Sequence, residues 1–221
     1  MTDGGMTDGG MTDGGMTDGV LRVVLIGGTS HTGKSTVGRV VAERLGFEYR
    51  STDELARHPG RPWPSPGWEV PPHVAEHYRT LSVEELIASV LDHYARLRPR
   101  IEDLVARRAA DADGPGLVLE GSALWPAAVA PLVGPATAAL WLTAGEAVLR
   151  ERIRRGGRYA EADEDGRRLV DAFLARSVRY QELMSAELDR LGLDRLDAAS
   201  GRTVGESAGA VLAAVAVRDS G

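Results

Sequence analysis

Short apolar runs alternate with longer amphipathic stretches along most of the chain. The run LRVVLI at residues 21–26 ends at glycine and has the length and branching of a buried strand. Residues 35–45 then show helical periodicity, which Gly46 is expected to end. Further strands are predicted at 47–50, 117–120, 138–142 and 193–197, and further helices at 73–80, 82–110, 146–154, 167–191 and 204–217. Strands that alternate with helices predict a parallel, doubly wound α/β sheet with helices on both faces.

Two segments depart from this alternation. The proline-rich loop, residues 58–72, carries six prolines and two tryptophans and is predicted to be irregular. The helix at 82–110 begins with Ser82 and Glu85 in the spacing of a capping box, and Pro99 within it is expected to kink or divide it.

The charge of the chain is unevenly distributed. The net charge of the 221 residues is −6, and four aspartates in the repeat MTDGG of residues 1–20 supply most of it. That repeat has nothing to bury, so a disordered tail is predicted, followed by one folded body over residues 21–221. A near-neutral body argues against nucleic-acid binding. The 26 basic residues include a single lysine, Lys34.

Other function classes are excluded by composition. The chain has no cysteine, which excludes disulfide scaffolds and thiol nucleophiles. It also lacks an apolar run of the roughly 20 residues that span a bilayer, so no membrane association is expected. The acidic, glycine-rich start is unlike a signal peptide, and we therefore expect a cytoplasmic protein. Oligomeric state stays open.

The clearest motif follows the first predicted strand. Residues 28–35 read GTSHTGKS and match G-x-x-x-x-G-K-[ST] without a mismatch, between a strand and a helix. Glycines in such a loop let backbone N–H groups converge on phosphate oxygens; Lys34 is expected to reach the β- and γ-phosphates and Ser35 to bind Mg²⁺. The predicted nucleotide-binding residues are Gly28, Thr29, Ser30, His31, Thr32, Gly33, Lys34, Ser35 and Thr36.

Carboxylates follow two other predicted strands. Asp53 comes just after the second strand, where it can orient or deprotonate a substrate hydroxyl; a helix N-cap is the structural alternative. Glu120 ends the run LVLE and is predicted to bind Mg²⁺ or to touch substrate. Gly121, next to it, is expected to let a substrate approach the backbone closely.

Residues 150–168 form an arginine-rich segment with seven arginines around Gly156 and Gly157. A mobile lid of this kind can place arginines over a transferred phosphoryl group. We predict that Arg154 and Arg158 act in this way, together with the catalytic residues Lys34, Asp53 and Glu120.

With these motifs, residues 21–217 resemble the P-loop kinases of the nucleoside-monophosphate kinase type, a group that includes shikimate, gluconate and adenylylsulfate kinases and chloramphenicol phosphotransferase. The resemblance implies a three-layer P-loop NTPase fold with a five-stranded parallel sheet and an arginine-rich lid. It also implies that Mg-ATP donates a γ-phosphoryl group to a bound acceptor. By position, Asp53 is similar to the substrate-side carboxylate of the group. A GTPase switch is disfavoured, because its guanine motif needs a second lysine.

The resemblance puts the acceptor region at residues 54–116. Arg57, Arg61 and Trp63 there can hold a carboxylate, phosphate or planar group, while a rigid loop packed on the body is the alternative. The predicted function is an ATP-dependent kinase that acts on a hydroxyl of a small-molecule acceptor. A nucleotide kinase, a toxin- or resistance-type phosphotransferase and a non-enzymatic ATP-binding regulatory module remain open.

Overall fold

The structure, a computed structural model, describes residues 20–56, 60–65, 69–198 and 201–216. Its sheet has five parallel strands in the order β2-β3-β1-β4-β5. The strands are β1 (Val23–Gly28), β2 (Glu48–Ser51), β3 (Leu117–Glu120), β4 (Thr137–Thr143) and β5 (Arg195–Asp197). Each predicted strand is confirmed with small shifts at its ends. The predicted tail at 1–20 lies, apart from Val20, outside the described residues.

Helices connect the strands. They are α1 (Lys34–Leu45), α2 (Pro72–Thr80), α3 (Val83–Ala110), α4 (Pro126–Val129), α5 (Glu146–Gly156), α6 (Glu164–Leu191) and α7 (Val204–Ala216), with 3₁₀ turns at Thr52–Glu54 and Ala130–Leu132. Among the described residues no helix is both long and apolar enough to cross a membrane.

The strand β1 shows how the sheet acquires two packed faces. Val23 and Leu25 are fully buried among side chains of α3 and α6. Val24 and Ile26 point to the other face and are buried against α1 and α7. Because neighbouring residues of a strand face opposite sides, a strand covered on both sides is apolar throughout. The predicted three-layer α/β fold is therefore confirmed.

A third apolar cluster lies outside these two layers. It joins Trp63 of the proline-rich loop to α2, α5 and α6, with Phe173 of α6 among its members. The cluster therefore packs Trp63 and the α5 part of the arginine-rich segment against α6.

Two predicted helices are confirmed with differences in detail. Pro99 does not divide α3, which is one helix of 28 residues, and the kink that was the other expectation stays a prediction. A proline inside a helix costs about 3 kcal/mol, and buried side chains on both sides of it, such as Leu97 and Ile101, hold the helix against the sheet. The helix α6 starts three residues earlier than predicted, because the Asp163 side chain accepts a hydrogen bond from the Gly166 N–H at 2.7 Å and caps it.

Candidate active site

The carboxyl ends of three neighbouring strands meet at one edge of the sheet. Ile26 of β1 and Ser51 of β2 both pair with Glu120 at the end of β3. The phosphate loop (residues 28–35) leaves β1 here, and Asp53 follows β2 in the 3₁₀ turn. Ligands of open α/β sheets bind at this edge.

The phosphate loop has the backbone that its glycines permit. Gly33 adopts a φ of 95° as the residue before α1. His31 has a φ of 64°, an uncommon value for a residue with a side chain. Inside the loop the Thr32 hydroxyl donates to the Thr29 carbonyl at 3.0 Å. The Thr29 hydroxyl donates to the Ser177 carbonyl of α6 at 3.0 Å, which joins the loop to that helix.

Lys34 lies inside the loop with only 8% of its surface exposed. Its ammonium donates a hydrogen bond to the Thr29 carbonyl at 2.7 Å. Burial lowers the pKa of Lys34, and the negative charges of Glu120 and Asp53 oppose that change. The ammonium is therefore hydrogen-bonded to the loop and lies within electrostatic range of two carboxylates.

Glu120 is 3% exposed, and one of its oxygens accepts two hydrogen bonds. The Ser35 hydroxyl donates to Oε1 at 3.0 Å and the Tyr49 hydroxyl donates to the same atom at 2.9 Å. We call Ser35, Tyr49 and Glu120 the glutamate cluster. Because Ser35 directs its hydrogen at Glu120, the lone pairs of its oxygen stay available for a cation.

Asp53 combines access to solvent with a crowded electrostatic environment. Its surface is exposed, yet enough protein surrounds the carboxyl group to raise its pKa by desolvation, and Glu120 raises the pKa further. Lys34, Arg61 and His93 act in the opposite direction. Ser51, rather than Asp53, caps the 3₁₀ turn, because the Ser51 hydroxyl accepts from the Asp53 N–H at 3.3 Å. The Asp53 side chain is therefore not used as a cap.

The His31 imidazole marks where positive charges converge. Burial lowers its pKa to about 4, and Arg61, Lys34, Arg152 and Arg176 lower it as well, so the ring is neutral at pH 7. These four cations come from the proline-rich loop, the phosphate loop, α5 and α6. Together they make this end of the sheet attractive to anions.

A cleft of about 410 Å³ lies beside the phosphate loop. It is lined by loop residues, by α5 and by the start of α7, and its cationic members are Arg152, Arg155 and Arg202. Arg152 donates from Nη1 to the His31 carbonyl at 3.1 Å. Arg152 was not among the two arginines predicted from the sequence, although its side chain donates this hydrogen bond to the loop.

Arg154 and Arg158 have other contacts in this structure. Arg154 donates to Asp171 at 3.0 Å and lies 4.3 Å from the centre of the Tyr159 ring. It lines a separate surface depression of about 470 Å³ between α5 and α6. Arg158 is 75% exposed and pairs with Glu161. A role over the phosphates would require both side chains to exchange these partners.

The predicted acceptor residues are placed as follows. Trp63 is only 5% exposed and packs edge-to-face on Phe173 at 4.7 Å, so little of its ring is open to a ligand. Arg61 is exposed and acts electrostatically on His31 and Asp53. Arg57 lies outside the described residues.

Gly121 has a structural reason in the fold in addition to the role predicted for it. A Cβ at this position would overlap the Thr52 side chain, which is 1% exposed. Glycine at this position therefore leaves room for the side chain of Thr52, which follows β2. The expected close approach of a substrate to Gly121 stays a prediction.

Arg176 is a residue that the sequence reasoning missed. It is 8% exposed, donates to the Tyr78 hydroxyl at 2.6 Å and lies over the Phe173 ring at 4.5 Å. No acidic side chain of the described residues pairs with it within 4 Å. The sequence pattern could have indicated Arg176, because it lies three residues after Phe173 and four before Tyr180, on the face of the helix that is otherwise apolar.

Comparison with known proteins supports the fold. A shikimate kinase from Aquifex aeolicus is 14% identical, with a TM-score of 0.51 over 89% of this chain and 97% of that one. A gluconokinase from Sinorhizobium meliloti 1021 is 19% identical, with a TM-score of 0.49 over 90% and 94% of the two chains. No family model and no curated protein matches the sequence. The similarity to the Aquifex shikimate kinase supports the fold, and at 14% identity it shows the fold alone.

Proposed function

We propose that this protein is an ATP-dependent kinase that transfers the γ-phosphoryl group to a hydroxyl of a small-molecule acceptor. The observation that carries the proposal is the meeting of three groups at one sheet edge. A phosphate loop with a buried lysine adjoins a serine–glutamate pair, and an accessible carboxylate, Asp53, faces the same region. Phosphoryl transfer relies mainly on such positioning and charge stabilisation.

Each group has a distinct task in this reaction. The loop amides and Lys34 bind the phosphates and stabilise the charge that develops on them. Asp53 orients the acceptor hydroxyl and takes its proton as the oxygen attacks; the raised pKa of the carboxyl group favours that transfer. Arg152 at the loop adds positive charge on the nucleotide side.

The glutamate cluster fits a magnesium ion. Mg²⁺ binds oxygen ligands and is commonly held by one or two carboxylates together with substrate phosphates. Ser35 offers its lone pairs and Glu120 a buried carboxylate beside them. When bound, Mg²⁺ would neutralise charge on the β- and γ-phosphates.

The acceptor carries a negative charge in this proposal. A buried charge is normally paired with an opposite charge, yet Arg176 donates its hydrogen bond to a phenol, that of Tyr78. Arg176 lies close enough to lower the pKa of His31 in the phosphate loop. A carboxylate or phosphate group of the acceptor would form an ion pair with Arg176. In this arrangement residues 54–116 and α6 form the acceptor side of the site, and residues 150–168 form the lid. We place the reaction in the cytoplasm, where ATP is supplied.

Mass spectrometry of a metabolite extract incubated with the protein and γ-labelled ATP tests the proposal. A labelled phosphoester that requires Asp53 is expected. Asp53→Asn should abolish it while leaving ATP binding intact, and Glu54→Gln, one residue away at an exposed ion pair with Arg50, should retain it. Tight ATP binding without any product would favour a regulatory module instead.

The charge of the acceptor is tested by comparing products and variants. Arg176→Met should raise the KM for the acceptor by 10-fold or more, since a hydrogen bond to a charged group contributes about 1.5–3 kcal/mol, and should leave the KM for ATP unchanged. Arg179→Met, one turn further at an exposed pair with Glu84, is the control. A neutral acceptor, or an unchanged acceptor KM, would contradict the assignment. A nucleoside monophosphate product would identify a nucleotide kinase.

A further inference from the structure

Tyr49 is a polar residue near the reaction centre that the proposed mechanism leaves without a task. It belongs to β2, two residues before Ser51, the strand partner of Glu120. Its ring packs with the apolar cluster between the sheet and α1. Its hydroxyl nevertheless donates to Glu120 Oε1 at 2.9 Å. The ring is thus anchored in the core while the hydroxyl reaches the carboxylate.

The hydrogen bond fixes how Glu120 presents its two oxygens. Oε1 accepts from Ser35 in the first turn of α1 and from Tyr49 on β2. Two donors on one oxygen hold the carboxylate in a single orientation and leave Oε2 outside this pair of bonds. Partners that orient a metal-binding carboxylate in this way commonly change metal affinity 10–100-fold when removed.

Gly38 of α1 lies next to both Tyr49 and Glu120 and bears on how closely these side chains pack. It lies inside α1, where glycine is less favourable than alanine. A Cβ there would lie 3.3 Å from the Tyr49 ring and 3.6 Å from the Cβ and Cγ of Glu120. The 3.6 Å distances are ordinary contacts and only the 3.3 Å one is tight, so the glycine lets α1 pack closely over the Tyr49 ring.

The tyrosine also remains a donor. Burial and the neighbouring Glu120 raise the pKa of Tyr49 to about 12, and Arg39 lies 4.6 Å from the centre of its ring. The phenol therefore keeps its proton throughout the neutral range.

We propose that Tyr49 is a positioning residue that orients the Glu120 carboxylate for binding of a divalent cation beside Ser35. This inference rests on the proposed kinase function, because the cation is expected only with a bound nucleotide. Tyr49 itself touches neither the nucleotide nor the acceptor in this assignment.

The test measures cation binding rather than turnover. The full chain is saturated with a non-hydrolysable ATP analogue, and Mn²⁺ affinity is measured by electron paramagnetic resonance. Tyr49→Phe should weaken Mn²⁺ binding about 10-fold and leave the affinity of the analogue in EDTA unchanged. Arg195→Met removes an exposed bond to another carboxylate, to Asp189 at 3.0 Å near the carboxyl end of α6, and should leave Mn²⁺ affinity unchanged.

Gly38→Ala is a second variant that keeps the hydroxyl and displaces the Tyr49 ring by only a few tenths of an ångström, so its loss of Mn²⁺ affinity should be smaller than that of Tyr49→Phe. Thermal unfolding shows whether each variant is folded. Wild-type Mn²⁺ affinity in folded Tyr49→Phe would overturn the role of Tyr49 while leaving the kinase proposal intact. A wild-type chain that binds no nucleotide analogue would overturn the proposed function, and the inference with it.

Discussion

Replacing His31 by asparagine should make the protein less sensitive to acid. The imidazole has a pKa of about 4 in the folded chain, because it is largely buried and four cations surround it. In the unfolded chain it returns to about 6.5. Asparagine suits the substitution, since it tolerates the positive φ of 64° at this position better than most residues and does not titrate.

The sign and size follow from proton linkage. Between pH 6.5 and 4 the unfolded chain binds a proton at His31 that the folded chain excludes, so the free energy of unfolding falls as the pH falls. At about 1.36 kcal/mol per pH unit this interval is worth at most about 3.4 kcal/mol, and partial exposure of the ring to solvent reduces that value. Asparagine also loses the ring contacts with Trp63 and Phe173, which lowers stability at every pH.

Urea unfolding at several pH values between 7.5 and 4.5 measures the effect. The wild-type free energy of unfolding should fall more steeply with acidification than that of His31→Asn. The control is His77→Asn, which removes a histidine outside the phosphate loop. In this variant the free energy of unfolding should still show the decrease on acidification that His31 contributes. Parallel curves for the wild type and His31→Asn would refute the reasoning.

Three further predictions concern the loop and its surroundings. Lys34→Ala should abolish phosphoryl transfer with little change in thermal unfolding, and full activity in that variant would contradict the assignment. Arg152→Ala should weaken binding of an ATP analogue about 10-fold, as loss of a charge-assisted contact would; calorimetry should show a smaller effect for Arg158→Ala, whose side chain is 75% exposed. Gly121→Ala should lower the free energy of unfolding by about 1–3 kcal/mol, because the added Cβ overpacks against Thr52. Urea unfolding measures the change. A change within about 0.5 kcal/mol, as is usual for surface substitutions, would argue against that clash.

The strand pattern and the phosphate loop could be predicted because their signals are local. A buried strand is apolar on both faces, and the loop needs its glycines and lysine at fixed spacing. The positions of Asp53 and Glu120 after neighbouring strands follow from the same pattern. The helix at 82–110 was predicted, but whether Pro99 divides it could not be decided from the sequence, because packing along α3 outweighs the local preference.

The contacts of the arginines depend on information that the sequence does not carry locally. Seven arginines in residues 150–168 have similar local surroundings, and only the placement of α5 against the loop distinguishes Arg152 from Arg154. Arg176 gave a detectable signal, a cation in an apolar helical register. Tyr49 gave none, since a tyrosine in a strand is ordinary and its partner is 71 residues away.

The burial of the single lysine makes the reaction centre addressable by amine chemistry. Apart from the chain's own amino terminus, Lys34 is the only primary amine available for acylation. Its lowered pKa makes the free amine more abundant than for an ordinary lysine, and its 8% exposure shields it from bulky reagents. An acylating probe small enough to enter the loop would therefore label one side chain. Peptide mapping that separates the label on Lys34 from the label on the amino terminus would then report how much of the nucleotide site is occupied, without a radioactive substrate or a known acceptor.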